Sequence, residues 1–280
     1  MAKPDLTKID ELKKIAGRVR VEIIRNVHIA QGGHPGGSLS VAELLTALYF
    51  HSLRIDPKNP QWEDRDRFVL SKGHASIALY AVLAERGYFP VEELATFDAI
   101  DSRMQAHPDM KVTPGIDMST GSLGQGLSVG VGMALAAKML KKDFLTYVMI
   151  GDGETQEGQI WEAAFSAERY GLDNLIGILD HNRVQLYGWQ YPQPLCPVDE
   201  PAKKFEAFGW HIIELDGHDF EAIIVGLEAA KEVKGRPTMI IADTVKGKGV
   251  SFMEGCYEWH AKPPNDDECT LALGELSGCQ

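Results

Sequence analysis

The apolar positions first mark out a helix. Between Thr7 and Val27, the residues Ile9, Leu12, Ala16, Val19, Ile23 and Val27 recur at steps of three and four, the period of one helical face. Gln31-Gly32-Gly33-His34-Pro35-Gly36-Gly37 then stops any helix and lets bare backbone approach a ligand. A helix is expected to restart at Ser40, where Ser40 and Glu43 have capping-box spacing and Leu44, Leu45, Leu48 and Tyr49 form the buried face. Arg67 to Ser71 is a short apolar strand, and Lys72-Gly73-His74-Ala75 turns into a helix from Ser76 to Arg86 closed by Gly87. Val91 to Asp98 is read as exposed. An irregular region follows, containing Ala106-His107-Pro108-Asp109 and Ser119-Thr120-Gly121-Ser122-Leu123-Gly124-Gln125-Gly126. The helix from Leu127 to Leu140 carries Gly130, Gly132, Ala134, Ala136 and Ala137, small residues that predict close packing in a buried position or at a subunit interface.

The pattern becomes most informative between Leu145 and Asn182. An apolar strand ends at Ile150, Gly151-Asp152-Gly153-Glu154-Thr155-Gln156-Glu157-Gly158 leads into a helix, and a second apolar run ends in Asp180-His181-Asn182. Such a strand-helix-strand unit carries its strands in parallel, so both C-terminal ends reach the sheet edge where open α/β sheets bind ligands. Asp152 and Asn182 are thereby expected to face one another. A carboxylate, an amide oxygen and a nearby carbonyl are hard ligands that suit Mg²⁺ or Ca²⁺ better than zinc, and the expected occupant is a metal holding a phosphate.

Beyond Asn182, Pro192, Pro194, Pro197 and Pro201 punctuate a loop. The alternation then resumes with a strand from Trp210 to Leu215, a helix from Phe220 to Lys234 and a strand from Thr238 to Asp243. A glycine-rich loop follows from Lys246-Gly247-Lys248-Gly249 to Trp259-His260-Ala261-Lys262. The expected fold is α/β, a parallel β-sheet flanked by helices on both faces, forming one domain over residues 1–280.

Composition narrows the function. With 28 Lys plus Arg against 40 Asp plus Glu, the net charge is −12, which argues against nucleic acid or an anionic membrane as partner. An anionic ligand must therefore be held locally. Cys196, Cys256, Cys269 and Cys279 form no C-x-x-C pair, the N-terminus has no signal-like apolar stretch, and no run approaches the roughly 20 apolar residues of a membrane span. A reducing cytoplasm is the expected setting.

Gly-Asp-Gly alone is a common turn tripeptide, and it gains meaning from the strands on either side. Gly124-x-Gly126-x-x-x-Gly130 superficially matches a dinucleotide fingerprint, but it is one residue too long and lacks a preceding strand. A single histidine is more often structural than catalytic. His34, His74, His107 and His260, however, all lie in Gly- or Pro-flanked loops, unlike His28, His51, His211 and His218. Glu157 reads most simply as an acid at a helix N-terminus, and Lys246 and Lys248 as a solvated loop.

Taken together, Gly33-His34-Pro35-Gly36, Ser71-Lys72-Gly73-His74, Thr120-Gly121-Ser122-Leu123-Gly124-Gln125-Gly126, Gly151-Asp152-Gly153 and Phe205-Glu206-Ala207-Phe208-Gly209-Trp210 resemble the N-terminal half of a transketolase over nearly the whole chain. The resemblance implies thiamine diphosphate as cofactor and Mg²⁺ as metal, with Ca²⁺ able to substitute. It places Asp152, Asn182 and the carbonyl of Val184 on the metal and the Gly153 backbone on the diphosphate. His74 and His260 fall near the diphosphate, and His34, His107 and His260 near the sugar hydroxyls. Gly121, Ser122, Leu123 and Gly151 are placed at the cofactor, and the Lys246 loop over it. Glu157 corresponds to a residue that links to the other half of the active site. The family often carries an acid or Asn where His181 stands.

In that family the cofactor-activating glutamate lies in a following pyrimidine-binding domain. This chain is expected to lack that domain and to act as one subunit of a split transketolase. Its expected partners are a separate C-terminal chain, the two assembling as α2β2, and sugar phosphates. The alternatives are half of a deoxyxylulose-phosphate-synthase-like or specialised sugar-phosphate ketol transferase, or a non-catalytic scaffold subunit.

Overall fold

The central strands are buried along almost their whole length, and the alternating direction of their side chains divides the core in two. In the computed structural model, which describes residues 6–186 and 200–277, five parallel strands run in the order β1-β2-β3-β5-β4. They are β1 (Arg67–Leu70), β2 (Thr146–Gly151), β3 (Leu175–His181), β4 (His211–Asp216) and β5 (Thr238–Asp243). Tyr147, Met149, Ile176, Ile178 and Ile240 point to one face. There they meet α1 (Leu6–Ala30), α3 (Ala42–Ala47), α4 (Ser76–Arg86), α8 (Phe220–Glu232) and α9 (Asp266–Ser277). Val148, Ile150, Leu175, Leu179 and Ile241 point to the other, against α5 (Gln125–Leu140), α6 (Gly158–Arg169) and α7 (Pro201–Ala207). Both faces are covered, as a parallel sheet requires, and the chain has the expected α/β architecture.

The strand-helix-strand unit β2-α6-β3 forms as its pattern predicts, with Gly151 opposite Asp180. Likewise α4 spans Ser76–Arg86 and stops at Gly87, whose φ of 92° is the left-handed conformation that a helix end favours. At Gly130 a Cβ would stand 2.3 Å from Val148 Cγ2, so the small residue lets α5 lie directly on β2.

Four expectations change, and one helix is added. The glycine-rich segment does not exclude a helix: α2 (Pro35–Leu39) begins inside it, with Pro35 at a first-turn position where no amide bond is lost. Ser40 and Glu43 form no capping box. The Ser40 hydroxyl donates to Gly37 O and Asp180 Oδ2, while Glu43 pairs with Arg20 and His218. Within the stretch read as exposed, Leu94 and Phe97 are buried on a 3-10 turn. In α5 only the face bearing Leu127, Gly130, Ala134 and Ala137 is buried, whereas Met139 and Leu140 lie exposed. Helix α9 packs on α1 with no expectation of it from the sequence pattern. The prolines at 192, 194 and 197, and Cys196 and Cys279, lie outside the described residues, while Pro201 starts α7. Among the described residues, no helix is long and apolar enough to cross a membrane.

Candidate functional site

The C-terminal ends of β2 and β3 open onto a cavity of about 260 Å³. Its lining includes Lys72, His74, Leu123, Gly151, Asp152, Gly153, Asn182, Val184, Lys246 and His260. Asp152 follows β2 and is buried, with its amide donating to Asp180 O at 3.2 Å. Its Oδ1 accepts from Gly153 N at 2.7 Å and its Oδ2 from Arg183 N at 2.6 Å. Burial, and then the charge of Asp180, raise its pKa to about 6 against those two amides. Asn182 Oδ1 accepts from Val184 N at 3.1 Å, and Val184 O accepts from the Lys246 ammonium at 3.2 Å.

These three oxygens fit a hard divalent cation, and a positive group already touches one of them. Among the described residues no group of three or more His, Cys, Asp or Glu is placed to hold a metal. The protein would thus supply a single carboxylate, and a bound metal would have to complete its shell with water or ligand oxygens.

The four loop histidines converge from separate segments. His34 lies 5.2 Å from His74, 5.4 Å from His260 and 6.3 Å from His107 between ring centroids, and His74 lies 5.1 Å from His260. Burial, and then neighbouring positive groups, lower His34 to about 4 and His260 to about 3, and push His74 well below its ordinary value. The Lys246 ammonium lies 2.8 Å from His260 Nδ1 and can only donate, so His260 carries its proton on Nε2. His34, His74 and His260 are therefore neutral imidazoles able to exchange protons with hydroxyl groups, and His107 packs against His34 beside them. The unfolded chain takes up these protons near pH 6.5 and the folded chain only well below it. Their contribution to stability is expected to be intact above that value and to fall as the pH drops. Imidazole NMR titration is expected to leave His34 and His260 neutral at pH 6, and their protonation near pH 6.5 would refute this assignment.

The remaining expected residues sit at the rim. His34 and His107 join through the ring contacts without lining the cavity, and Ser122 and Glu157 are exposed beside it. Gly121 touches His107: a Cβ there would meet His107 Cδ2 at 3.0 Å, and its φ of 142° suits glycine alone. Lys246 corrects the solvated-loop reading. It is 2% exposed, and burial, then the charge of Lys72, lower its pKa to about 8. Lys248 does lie at the surface, within 3.4 Å of Glu254.

The sequence pattern assigned no role to the residues that hold this architecture together. Asp180 is fully buried and accepts from Lys72, Thr244, Ser40 and Asn182. Burial favours its protonation, but Lys72 holds it below the usual carboxylate range. Lys72 also donates to Gly37 O at 2.9 Å, tying α2 to the sheet edge. Glu154, equally buried, accepts from Ser71 and from the amides of Gly124 and Gly151. An acid ending an all-apolar strand was the available signal for Asp180.

Comparison with known proteins adds the relatives. The family described as "Transketolase, thiamine diphosphate binding domain" matches residues 12–277. The chain is similar to the 6-deoxy-6-sulfo-D-fructose transketolase subunit SqwG of Clostridium sp. (strain MSTE9), 49% identical over 87% of this chain and 88% of that protein. It is also similar to an apulose-4-phosphate transketolase subunit from Actinobacillus succinogenes, 45% identical over 95% of this chain and 96% of that protein. Among solved structures, a Pichia stipitis transketolase complex with sedoheptulose 7-phosphate superposes with a TM-score of 0.89 at 33% identity. That match covers 95% of this chain but 40% of the transketolase, so this chain spans about two fifths of a full-length relative.

Proposed function

The chain belongs to the family of transketolase thiamine diphosphate binding domains, and on that premise we propose that it is the diphosphate-binding subunit of a two-chain transketolase. The reading rests chiefly on one juxtaposition: a hard-oxygen set at Asp152, Asn182 and Val184, two buried lysines and a cluster of neutral histidines share one sheet edge. Thiamine diphosphate, when bound, supplies the carbon nucleophile and electron sink for cleaving and forming the carbon-carbon bond.

The protein's own part is to bind, orient and move protons. Asp152, Asn182 and the Val184 carbonyl hold Mg²⁺, with Ca²⁺ able to substitute. The Gly153 amide, His74, Lys72 and Lys246 face the diphosphate, whose charge offsets two lysines buried at close quarters. Gly121, Ser122, Leu123 and Gly151 border the cofactor. His34, His107 and His260 exchange protons with the hydroxyls of the two sugars as the two-carbon unit leaves one and joins the other. Glu157, exposed beside the cavity, faces the second half of the active site.

Residues 1–280 serve as a single diphosphate-binding domain, and a separate chain supplies the pyrimidine-binding half in an α2β2 assembly in the cytoplasm. In support, two relatives named as transketolase subunits align over 88% and 96% of their own lengths. A specialised sugar substrate is a second reading, favoured because those relatives are named for a sulfosugar and for apulose 4-phosphate.

The test combines this chain with a pyrimidine-domain chain, Mg²⁺ and thiamine diphosphate. It is assayed with xylulose 5-phosphate plus ribose 5-phosphate, with 6-deoxy-6-sulfofructose or apulose 4-phosphate each plus glyceraldehyde 3-phosphate as acceptor, and with pyruvate plus glyceraldehyde 3-phosphate. Ketol transfer is expected with one of the sugar donors and only when both chains are present. Full turnover by this chain alone would overturn the split assignment. Condensation of pyruvate would make it a deoxyxylulose-phosphate-synthase-like half.

A further inference from the structure

Outside the cavity, three charged or titratable groups from distant segments meet, two of them buried and the third, His218, half-buried. Arg20 of α1, Glu43 of α3 and His218 of the β4-α8 loop share one carboxylate oxygen: Arg20 Nη2 donates to Glu43 Oε2 at 2.5 Å, and His218 Nδ1 lies 3.1 Å from the same atom. Arg20 and Glu43 are both nearly buried. Buried charges are retained only when paired, and here both donors extend further, to a single stretch of backbone. His218 Nε2 lies 2.9 Å from the Val245 amide, which can only donate. That ring nitrogen therefore accepts, and the imidazole proton sits on Nδ1, facing Glu43. Arg20 Nε donates to Lys248 O at 3.0 Å. The two backbone groups held in this way, the amide of 245 and the carbonyl of 248, stand on either side of Lys246, whose side chain enters the site.

The arm needs such an anchor. Between residues 244 and 249 it has no regular structure, and Gly247 takes a φ of 79°. Its other backbone holds include the Gly247 amide on Gly36 O at 2.9 Å and the Lys246 carbonyl, which accepts from Gly255 N at 2.9 Å. Burial and the charge of Lys72 work against the Lys246 ammonium, and Val184 O and His260 Nδ1 hold only its tip, so fixing the backbone on either side steadies its entry into the cavity.

We propose that Arg20, Glu43 and His218 form a positioning device that holds the Lys246 arm in the cofactor cavity, so that diphosphate affinity depends on His218 although His218 does not line that cavity. The proposal rests on the reading that Lys246 faces the diphosphate. His218 acts by accepting the Val245 amide, Arg20 by holding the Lys248 carbonyl, and Glu43 by fixing both donors from one oxygen.

The test uses the full chain and two readouts. In the ligand-free protein, His218→Ala is expected to speed amide hydrogen exchange in segment 244–249 and leave the β2 and β3 amides protected. With Mg²⁺ and thiamine diphosphate, followed by calorimetry, the same substitution is expected to weaken binding by about tenfold, the lower end of what loss of a ligand's outer support costs. In a Lys246→Met background it is expected to add almost nothing, because the arm then has no ammonium to place at the diphosphate. Unchanged exchange in 244–249, or equal losses of affinity in both backgrounds, would overturn the proposal. If His218→Ala does not fold, His218→Asn is measured in its place, with the same outcomes deciding. If the unsubstituted chain bound no thiamine diphosphate even with a pyrimidine-domain chain present, the functional reading would fall instead, and the exchange result would still decide whether the triad holds the arm.

Discussion

Replacing Lys72 with methionine is expected to destabilise the chain by about 3–5 kcal/mol, the usual cost of leaving one member of a buried ion pair without the other. Lys72 and Asp180 are 1% and 0% exposed, so neither charge can turn to water. After the substitution Asp180 keeps the hydroxyls of Ser40 and Thr244 and the amide of Asn182, but it loses its counter-charge. The Gly37 carbonyl loses one of its donors as well, keeping the Ser40 hydroxyl, which weakens the tie between α2 and the sheet edge. Against a total stability of about 5–15 kcal/mol, this loss brings the chain close to unfolding at 37 °C. Urea denaturation measures it. Adding Asp180→Asn, which keeps an acceptor and removes the charge, is expected to recover part of the loss. If the double substitution were no more stable than Lys72→Met, the penalty would lie in packing and not in the stranded carboxylate.

That pair also shows where sequence reading reaches its limit. Strands β2, β3 and β5 were legible because their apolar runs are short and bounded by glycine, proline or acid, and α4 because its start follows a strand and its end is a glycine. Asp152 and Asn182 were legible because parallel strands must end on one edge. Lys72 lies 108 positions from Asp180, and Glu43 lies 175 from His218. Nothing local to either residue says that its partner exists. Ser40 and Glu43 illustrate the same point in reverse: their spacing is that of a capping box, yet each side chain gains more from a buried charged partner than from a helix end. Lys246 followed the same course. A lysine in a glycine-rich loop normally lies in solvent, and only the return of the chain to Val184 and His260 buries it. Helix α9 was missed for a different reason. Its buried positions Cys269, Ala272 and Leu276 are few, Leu271 lies exposed among them, and α1 supplies the surface that makes it a helix.

Asp152→Ala is expected to separate function from stability, because in the ligand-free chain this carboxylate opposes folding. Burial and Asp180 raise its pKa from 3.8 to about 6, so the folded state prefers it protonated. A raised folded-state value means that its favourable contribution is present at low pH and is lost as the pH rises toward 6; at neutral pH the ionised group is held at a cost. Removing it therefore costs the ligand-free chain little, apart from two amides, those of Gly153 and Arg183, that lose their acceptor. With Mg²⁺ and thiamine diphosphate the result is expected to reverse. The only carboxylate of the proposed metal site is gone, and affinity is expected to fall by about a hundredfold or more, beyond the 10–100-fold that loss of a ligand's outer partner alone causes. Partner-dependent ketol transfer is expected to fall with it. Thermal unfolding with and without the cofactor measures both effects: the ligand-free midpoint is expected to stay near that of the unsubstituted chain, while the rise on adding cofactor disappears. A ligand-free midpoint that collapsed would make Asp152 a structural acid. A cofactor-induced rise that survived would remove it from the metal site, and with it the main support for placing the diphosphate at the end of β2.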